Sequence, residues 1–345
     1  MPVNQLLGLG LNPGTEYILL TLGTNHYVVQ SGVQDAVRRI TDPILASNIH
    51  LSSSITSVEC DPSKPSTARI TFSCATGHST ISGFDHVVLA TQANNAVPIL
   101  STLRSSYPAK SSLQQAIDAQ LACLRRFPYV QTIVVNHQDE SFLPVNKSDT
   151  RDLNLVCAPG GRHPFTSESG LPKIDVPCLP PGYTMATHVI PQKTMAAAKK
   201  PIKRILQTTN PIYPPHPDSI ISIAKIERAL VSIDSKEAQK DLIDVGIGRW
   251  KVIWNGARSA SSLPFRLEFA RPRKLGRLQA PGRLTPLIAN DGDEIMPPGV
   301  WLCGSYAHPG IPLLEACVTS ALAVVENGIF EIEGVKERAS WPIRA

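Results

Sequence analysis

The chain has 345 residues, 42% of them hydrophobic and 18% charged, with a formal net charge of +5. The apolar fraction excludes a largely disordered chain, and no stretch reaches the roughly 18 uncharged apolar residues of a membrane span. The basic excess is mild and dispersed, unlike the clustered charge of a dedicated nucleic-acid binder.

The first 27 residues read as an apolar N-terminal segment punctuated by Gly8, Gly10, Gly14 and Gly23. Val28 to Ile40 then turns amphipathic, with Val33, Ala36, Val37 and Ile40 at helical spacing, and Asp42-Pro43 stops the helix. Ile49 to Val58 is rich in β-branched residues and predicts a strand. Ala68–Cys74 and His78–Phe84 predict a hairpin around Thr76-Gly77. The continuous run Phe84-Asp85-His86-Val87-Val88-Leu89-Ala90-Thr91 suits a strand buried on both faces, as in a parallel sheet. Asn94 to Leu100 starts a helix, and Ser112-Leu113-Gln114-Gln115 reads as a capping box before a second helix that runs to about Arg126.

From Tyr129 onward the pattern changes. Strand candidates Val130–Val135, Leu153–Cys157, Thr184–Ile190 and Ile202–Thr208 alternate with proline-rich loops, and Pro211 to Pro217 is an extended spacer. The chain's 30 prolines, nearly twice the usual share of roughly 5%, concentrate here. Strands without intervening helices predict a mostly antiparallel sheet. Ser235–Val245 reads as a short helix, Trp250–Trp254 as a strand, and Arg266–Arg283 as a basic loop in which binding of an anionic partner competes with a plain solvated face. Val300–Cys303 is a buried-type strand, Gly304–Gly310 a turn, and Ile311–Glu326 a helix whose Ile311, Leu314, Val318, Ala321, Leu322 and Val325 share one face. These elements divide the chain into an apolar segment (1–27), a first α/β part (28–128), a strand-rich middle (129–265) and a basic loop with a second α/β part (266–345).

Seven scattered cysteines without a C-x-x-C pair do not make a disulfide framework. Met1-Pro2-Val3-Asn4 does not read as the opening of a signal peptide, and a reducing, cytoplasmic setting is expected. The lone sequon Asn146-Lys147-Ser148 is of a kind that arises often by chance. No G-x-S-x-G elbow is present, and His216 and His308 lack companions at metal-ligand spacing, so neither nucleophilic hydrolysis nor a metal site is expected. A buried strand, a small-residue turn and a helix with free N-terminal amides make a site for negative charge, although such units are more often plain packing.

Three blocks in order carry a resemblance. They are Gly32-Val33-Gln34-Asp35-Ala36-Val37 with Ile49 to Val58, then Phe84 to Ala93, then Trp301-Leu302-Cys303-Gly304-Ser305 with Gly310 to Ala321. Together they resemble the flavin-containing amine oxidoreductase superfamily, most closely its fungal FAD/NAD(P)-binding type, and specifically its C-terminal portion. The resemblance implies a mixed α/β fold: a partial FAD-binding, Rossmann-like sheet beside a second, mostly antiparallel, substrate-side sheet. It implies FAD as cofactor, with Val58 backbone at the adenine, Ala90 and Thr91 closing over the dinucleotide, and Gly304, Ser305, Gly310, Leu313 and Leu314 at the flavin ring. Tyr306 and His308 occupy the turn that would face that ring and are the catalytic candidates. A small organic substrate, an oxidoreductase reaction and a place in secondary-metabolite biosynthesis follow from the same likeness.

Departures from the pattern matter as much. Gly8-Leu9-Gly10-Leu11-Asn12-Pro13-Gly14 has the wrong glycine spacing for the pyrophosphate turn, and Pro13 removes an amide. A second chain that supplies this unit is therefore one expectation. Another is a degenerate or truncated relative that does not bind FAD and acts as a cofactor-free isomerase or cyclase, or as a binding partner. Leu313 and Ser305 stand where many amine oxidases carry an aromatic and a glutamate, which argues against an amine substrate.

Overall fold

The computed structural model describes residues 33–157, 184–190, 203–245, 249–254, 265–270, 273–284, 287–288, 294–308 and 314–336. The chain divides into two compact units, one of Met1–Arg38 with Val130–Arg228 and one of Arg39–Tyr129 with Ala229–Ala345. The class is mixed α/β, as expected, with antiparallel pairing predominant and one parallel pair.

Helix α1 (Val33–Thr41) occupies the predicted amphipathic stretch and stops before Asp42-Pro43, because the residue ahead of a proline avoids the helical region. Strands β1 (Ser54–Cys60), β2 (Ala68–Cys74) and β3 (Gly77–Phe84) then form an antiparallel meander in that order. The hairpin closes on Cys74 opposite Gly77, one residue earlier than the sequence suggests. The strand expected from Ile49 starts only at Ser54, since Ser52 takes φ +52° and breaks the extended run. Strand β4 (His86–Leu89) follows. Helices α2 (Ala93–Ser105) and α3 (Ser112–Leu124) bury Leu100, Leu103, Ile117, Leu121 and Leu124 in one core with Val58, Val87 and Leu89. The cap of α3 is Ser111, whose hydroxyl accepts from the Gln114 N–H at 3.2 Å. This corrects the expected Ser112–Gln115 box by one residue. Gln114 Oε1 accepts from Lys110 N–H instead of closing the reciprocal bond.

The other unit holds a five-stranded sheet in the order β6-β7-β8-β5-β9, made of β5 (Tyr129–His137), β6 (Leu153–Cys157), β7 (Thr184–Ile190), β8 (Ile205–Thr209) and β9 (Ile220–Ala229). Pairings β6/β7, β7/β8 and β5/β8 are antiparallel. The sequence reading misses β9. Its isoleucines at 220, 221, 223 and 226 do not alternate, its Ala-Lys-Ile-Glu-Arg stretch favours a helix, and the edge strand is exposed along most of its length.

From Ala229 the chain belongs to the same unit as α2 and α3, earlier than the boundary at 265 that composition suggested. The reason is α4 (Ile233–Leu242), whose Ala238 and Leu242 are buried in that core. The helix starts at Ile233 on a Ser232–Ser235 capping box. It gives way to β10 (Ile243–Val245), so Val245 is not helical. Strands β11 (Arg249–Trp254), β12 (Phe265–Ala270), β13 (Arg273–Leu275), β14 (Leu287–Ile288), β15 (Glu294–Ile295) and β16 (Gly299–Leu302) complete the strands. The supposed basic loop is thus in part paired backbone: β12 lies against β11 and β13 against β10. Its Arg277 donates to Asp241 at 2.8 Å, and Arg283 donates to the carbonyls of Pro297 (2.8 Å) and Ser66 (3.0 Å).

Helix α5 (Leu314–Val324) runs into a π-helical turn at Val325–Ile329. The face predicted for it packs only in part, through Ala321. Leu314 and Val318 are exposed, whereas Ala316, Ser320, Ala323 and Val324 are buried. Small residues on that side let the helix backbone approach the strand and turn before it, and Gly328 does the same further on. A Cβ there would lie 2.4 Å from the Trp301 ring.

Candidate functional site at the carboxyl ends of a parallel strand pair

Strands β4 and β16 pair in parallel, with Gly299 opposite His86 and Leu302 opposite Leu89. The Cys303 N–H donates to the Leu89 carbonyl at 3.1 Å. The two carboxyl ends therefore finish side by side. Ala90 and Thr91 emerge from one, Gly304 and Ser305 from the other. Open α/β sheets receive ligands at such ends.

Gly304 is the pivot of the turn. Its φ is +147°, and a side chain would meet the Tyr306 ring at 3.0 Å and the Thr91 carbonyl at 3.4 Å. One hydroxyl holds it from both sides. Ser320 Oγ accepts from the Gly304 N–H at 2.9 Å and lies 3.0 Å from the carbonyls of Gly304 and Cys317, to which it donates. Three buried glutamines fix the surrounding backbone. Gln239 Nε2 donates to the carbonyls of Tyr306 and His308, both at 3.0 Å. Gln279 brackets Leu302, donating to its carbonyl at 2.8 Å and accepting from its N–H at 2.9 Å. Gln120 donates to the Leu278 carbonyl at 2.7 Å. Sequence reading passes over all four residues, since a buried Gln or Ser carries no periodic signal.

The predicted site residues fall into distinct groups. Ala90 and Thr91 are exposed, Ser305 is half-buried and Leu314 is exposed. Gly310 and Leu313 lie outside the described residues, as do the Gly8–Gly14 stretch and the start of the helix motif at Ile311 and Pro312. Tyr306 is buried, its ring edge-on to Phe127 at 5.1 Å, and its hydroxyl meets no partner among the described residues. Burial first, then Cys303, Tyr129 and Cys123, push that phenol far above its usual pKa. It stays neutral and shielded within the core. His308 ends the turn half-buried, with its carbonyl on Gln239. Burial, with Cys317 adding, raises the Cys303 thiol to about 11, so it is not a ready nucleophile.

Val58 stands apart. Its N–H donates to Thr102 Oγ1 at 2.9 Å, and its carbonyl lies 3.0 Å from the same hydroxyl, which shares its one proton with the Ile99 carbonyl at 2.7 Å. The N–H that an adenine would need is thus taken by α2, and the carbonyl faces the same hydroxyl. At the Thr91–Gly304 end the Gly304 N–H is likewise taken, by Ser320, and the Thr91 hydroxyl donates to the Gln92 carbonyl at 3.2 Å.

The five-stranded sheet carries a separate polar row. His137 Nε2 lies 2.8 Å from Thr208 Oγ1, which lies 2.9 Å from Thr187 Oγ1, all three buried. The Asp139 N–H donates to His137 Nδ1, so the neutral ring carries its proton on Nε2 and donates to Thr208. Burial lowers the His137 pKa, with Asp139 opposing.

Among the described residues no group of three or more His, Cys, Asp or Glu is placed to hold a metal ion. No helix among them is long and apolar enough to cross a membrane. Comparison with known proteins finds no family model and no curated protein that matches the chain.

Proposed function

We propose that the chain is a flavoprotein-type oxidoreductase, akin to the flavin-containing amine oxidoreductases, that carries FAD at the carboxyl ends of β4 and β16 and acts on a small organic substrate. The observation behind this reading is the parallel pair itself. Its two ends present Ala90, Thr91 and Ser305 to solvent around a Gly304 that Ser320 clamps by both backbone groups. Bound FAD would supply hydride chemistry. The chain's part would be positional. Gly304 lets the turn pack closely on the Tyr306 ring and the Thr91 carbonyl, Thr91 and Ser305 place hydroxyls at the rim, and the buried glutamines keep the turn from moving. An alanine at 90 leaves the surface open, so Ala90→Trp would close it without disturbing the core. FAD binding by the full chain, followed by quenching of flavin fluorescence, is expected for the parent and lost in Ala90→Trp. Equal binding by both would overturn the placement.

A second reading has one specific observation in its favour. Thr102 already takes the Val58 N–H, as expected of a relative that keeps the architecture and no longer holds the adenine end of FAD. Under this reading the parent chain would show no flavin quenching at any FAD concentration tested.

A further inference from the structure

At the opposite end of the parallel pair, beside the Met296-Pro297 segment that leads into β16, the same unit opens into a cavity of about 450 Å³. This lies within the range of small-molecule sites, roughly 300–1,000 Å³. Pro62, Pro65, Leu113 and Pro297 supply apolar walls, three of them with the fixed backbone of proline. Such walls need little ordering when a ligand enters.

The polar groups at the space are those of Cys60, Asp61, Ser106 and Tyr107. Tyr107 lines it, and no hydrogen bond ties its hydroxyl to another described residue. The hydroxyl is a neutral donor, since burial and then Cys60 raise its pKa. Cys60 also lines the cavity, its thiol donating to the Pro65 carbonyl at 3.1 Å. Asp61 closes one side, its carboxylate held by the Ser63 N–H at 2.9 Å and the Ser63 hydroxyl at 2.6 Å. Among the described residues no Lys, Arg or His lines the cavity, so an anion would face the Asp61 carboxylate without a counter-charge from them.

We infer that this cavity is a second ligand site, separate from the Thr91–Gly304 end, for an uncharged, largely apolar, ring-sized molecule with one hydrogen-bond acceptor directed at Tyr107. The assignment does not rest on the flavin reading. Cys60 provides the reporter: its alkylation by N-ethylmaleimide in the full chain is followed by peptide mass spectrometry, with Cys74, outside the cavity, as internal reference.

Acetophenone, a neutral ring with one carbonyl acceptor, is expected to slow alkylation of Cys60 about tenfold at roughly ten times its dissociation constant, and to leave Cys74 unchanged. Benzoate, the same ring with a carboxylate, should not protect. Tyr107→Phe should raise the acetophenone concentration needed by about tenfold, the worth of one hydrogen bond, with protection by ethylbenzene unaltered. The site is overturned if acetophenone leaves Cys60 unprotected or slows Cys60 and Cys74 alike. Equal protection by benzoate would overturn the charge selection. Both of those comparisons use the parent chain and stand whether or not the variant folds.

Discussion

Replacing Ser320 with alanine tests how the turn after β16 is held. The Ser320 hydroxyl serves three backbone groups. The Gly304 N–H donates to it at 2.9 Å, and the carbonyls of Gly304 and Cys317 lie 3.0 Å away as acceptors. In Ser320→Ala the Gly304 carbonyl keeps the Ala307 N–H at 3.0 Å. The Gly304 N–H has no such substitute and is left buried and unsatisfied, which costs about 1–3 kcal/mol. At 1.4 kcal/mol per tenfold, a central value of about 2 kcal/mol is roughly a thirtyfold loss of protection. Hydrogen exchange read by mass spectrometry on a peptide containing Gly304 measures it directly. Ser105→Ala is the control: this exposed helix serine donates to the Ser101 carbonyl at 3.1 Å, and its loss should stay within about 0.5 kcal/mol. Unchanged Gly304 protection in Ser320→Ala would refute the clamp.

Thr102→Val keeps the side-chain shape and strips the Val58 N–H and carbonyl of their shared partner. The urea midpoint should fall by the equivalent of about 1–2 kcal/mol, and an unchanged midpoint would contradict the role given to Thr102. Arg283→Met should cost about 1.5–3 kcal/mol, because Arg283 is nearly buried and two carbonyls lose a charged donor. Arg277→Met, on an exposed pair with Asp241, should change stability by less than about 0.5 kcal/mol. Equal effects in urea unfolding would count against dividing the basic run this way. The folded-state pKa of His137 is depressed by burial, so its contribution is fully present above the unfolded value of about 6.5 and is lost as pH falls through the folded value. The urea midpoint should therefore drop on acidification, and His137→Asn should flatten that part of the profile. A parent profile flat across this range would contradict a buried neutral imidazole.

What could be read from the sequence was what periodicity encodes. The β2–β3 hairpin, α3, and the apolar runs of β4 and β16 emerge close to their predicted bounds, because alternation and helical spacing report directly on which side chains are buried. The packing of α5 was not legible. Leu314 and Val318 of its apolar stripe are exposed, and the buried side is made by Ala316, Ser320 and Ala323, with Ala321 beside them, where smallness decides and hydrophobicity does not. Nor could Gln120, Gln239 and Gln279 be found, since their function is to satisfy particular carbonyls brought close only by the fold. The chain's candidate site shows the same division. Ala90, Thr91, Gly304 and Ser305 follow from two strand ends recognisable in the sequence, whereas the closure of Val58 by Thr102 depends on a helix 44 residues away.

The visible absorption spectrum of the purified full chain, recorded before and after addition of FAD and removal of the excess, tests the flavoprotein reading most directly. The account predicts the two-banded spectrum of an oxidised flavin at one per chain. A folded chain that stays colourless after FAD is added would contradict it.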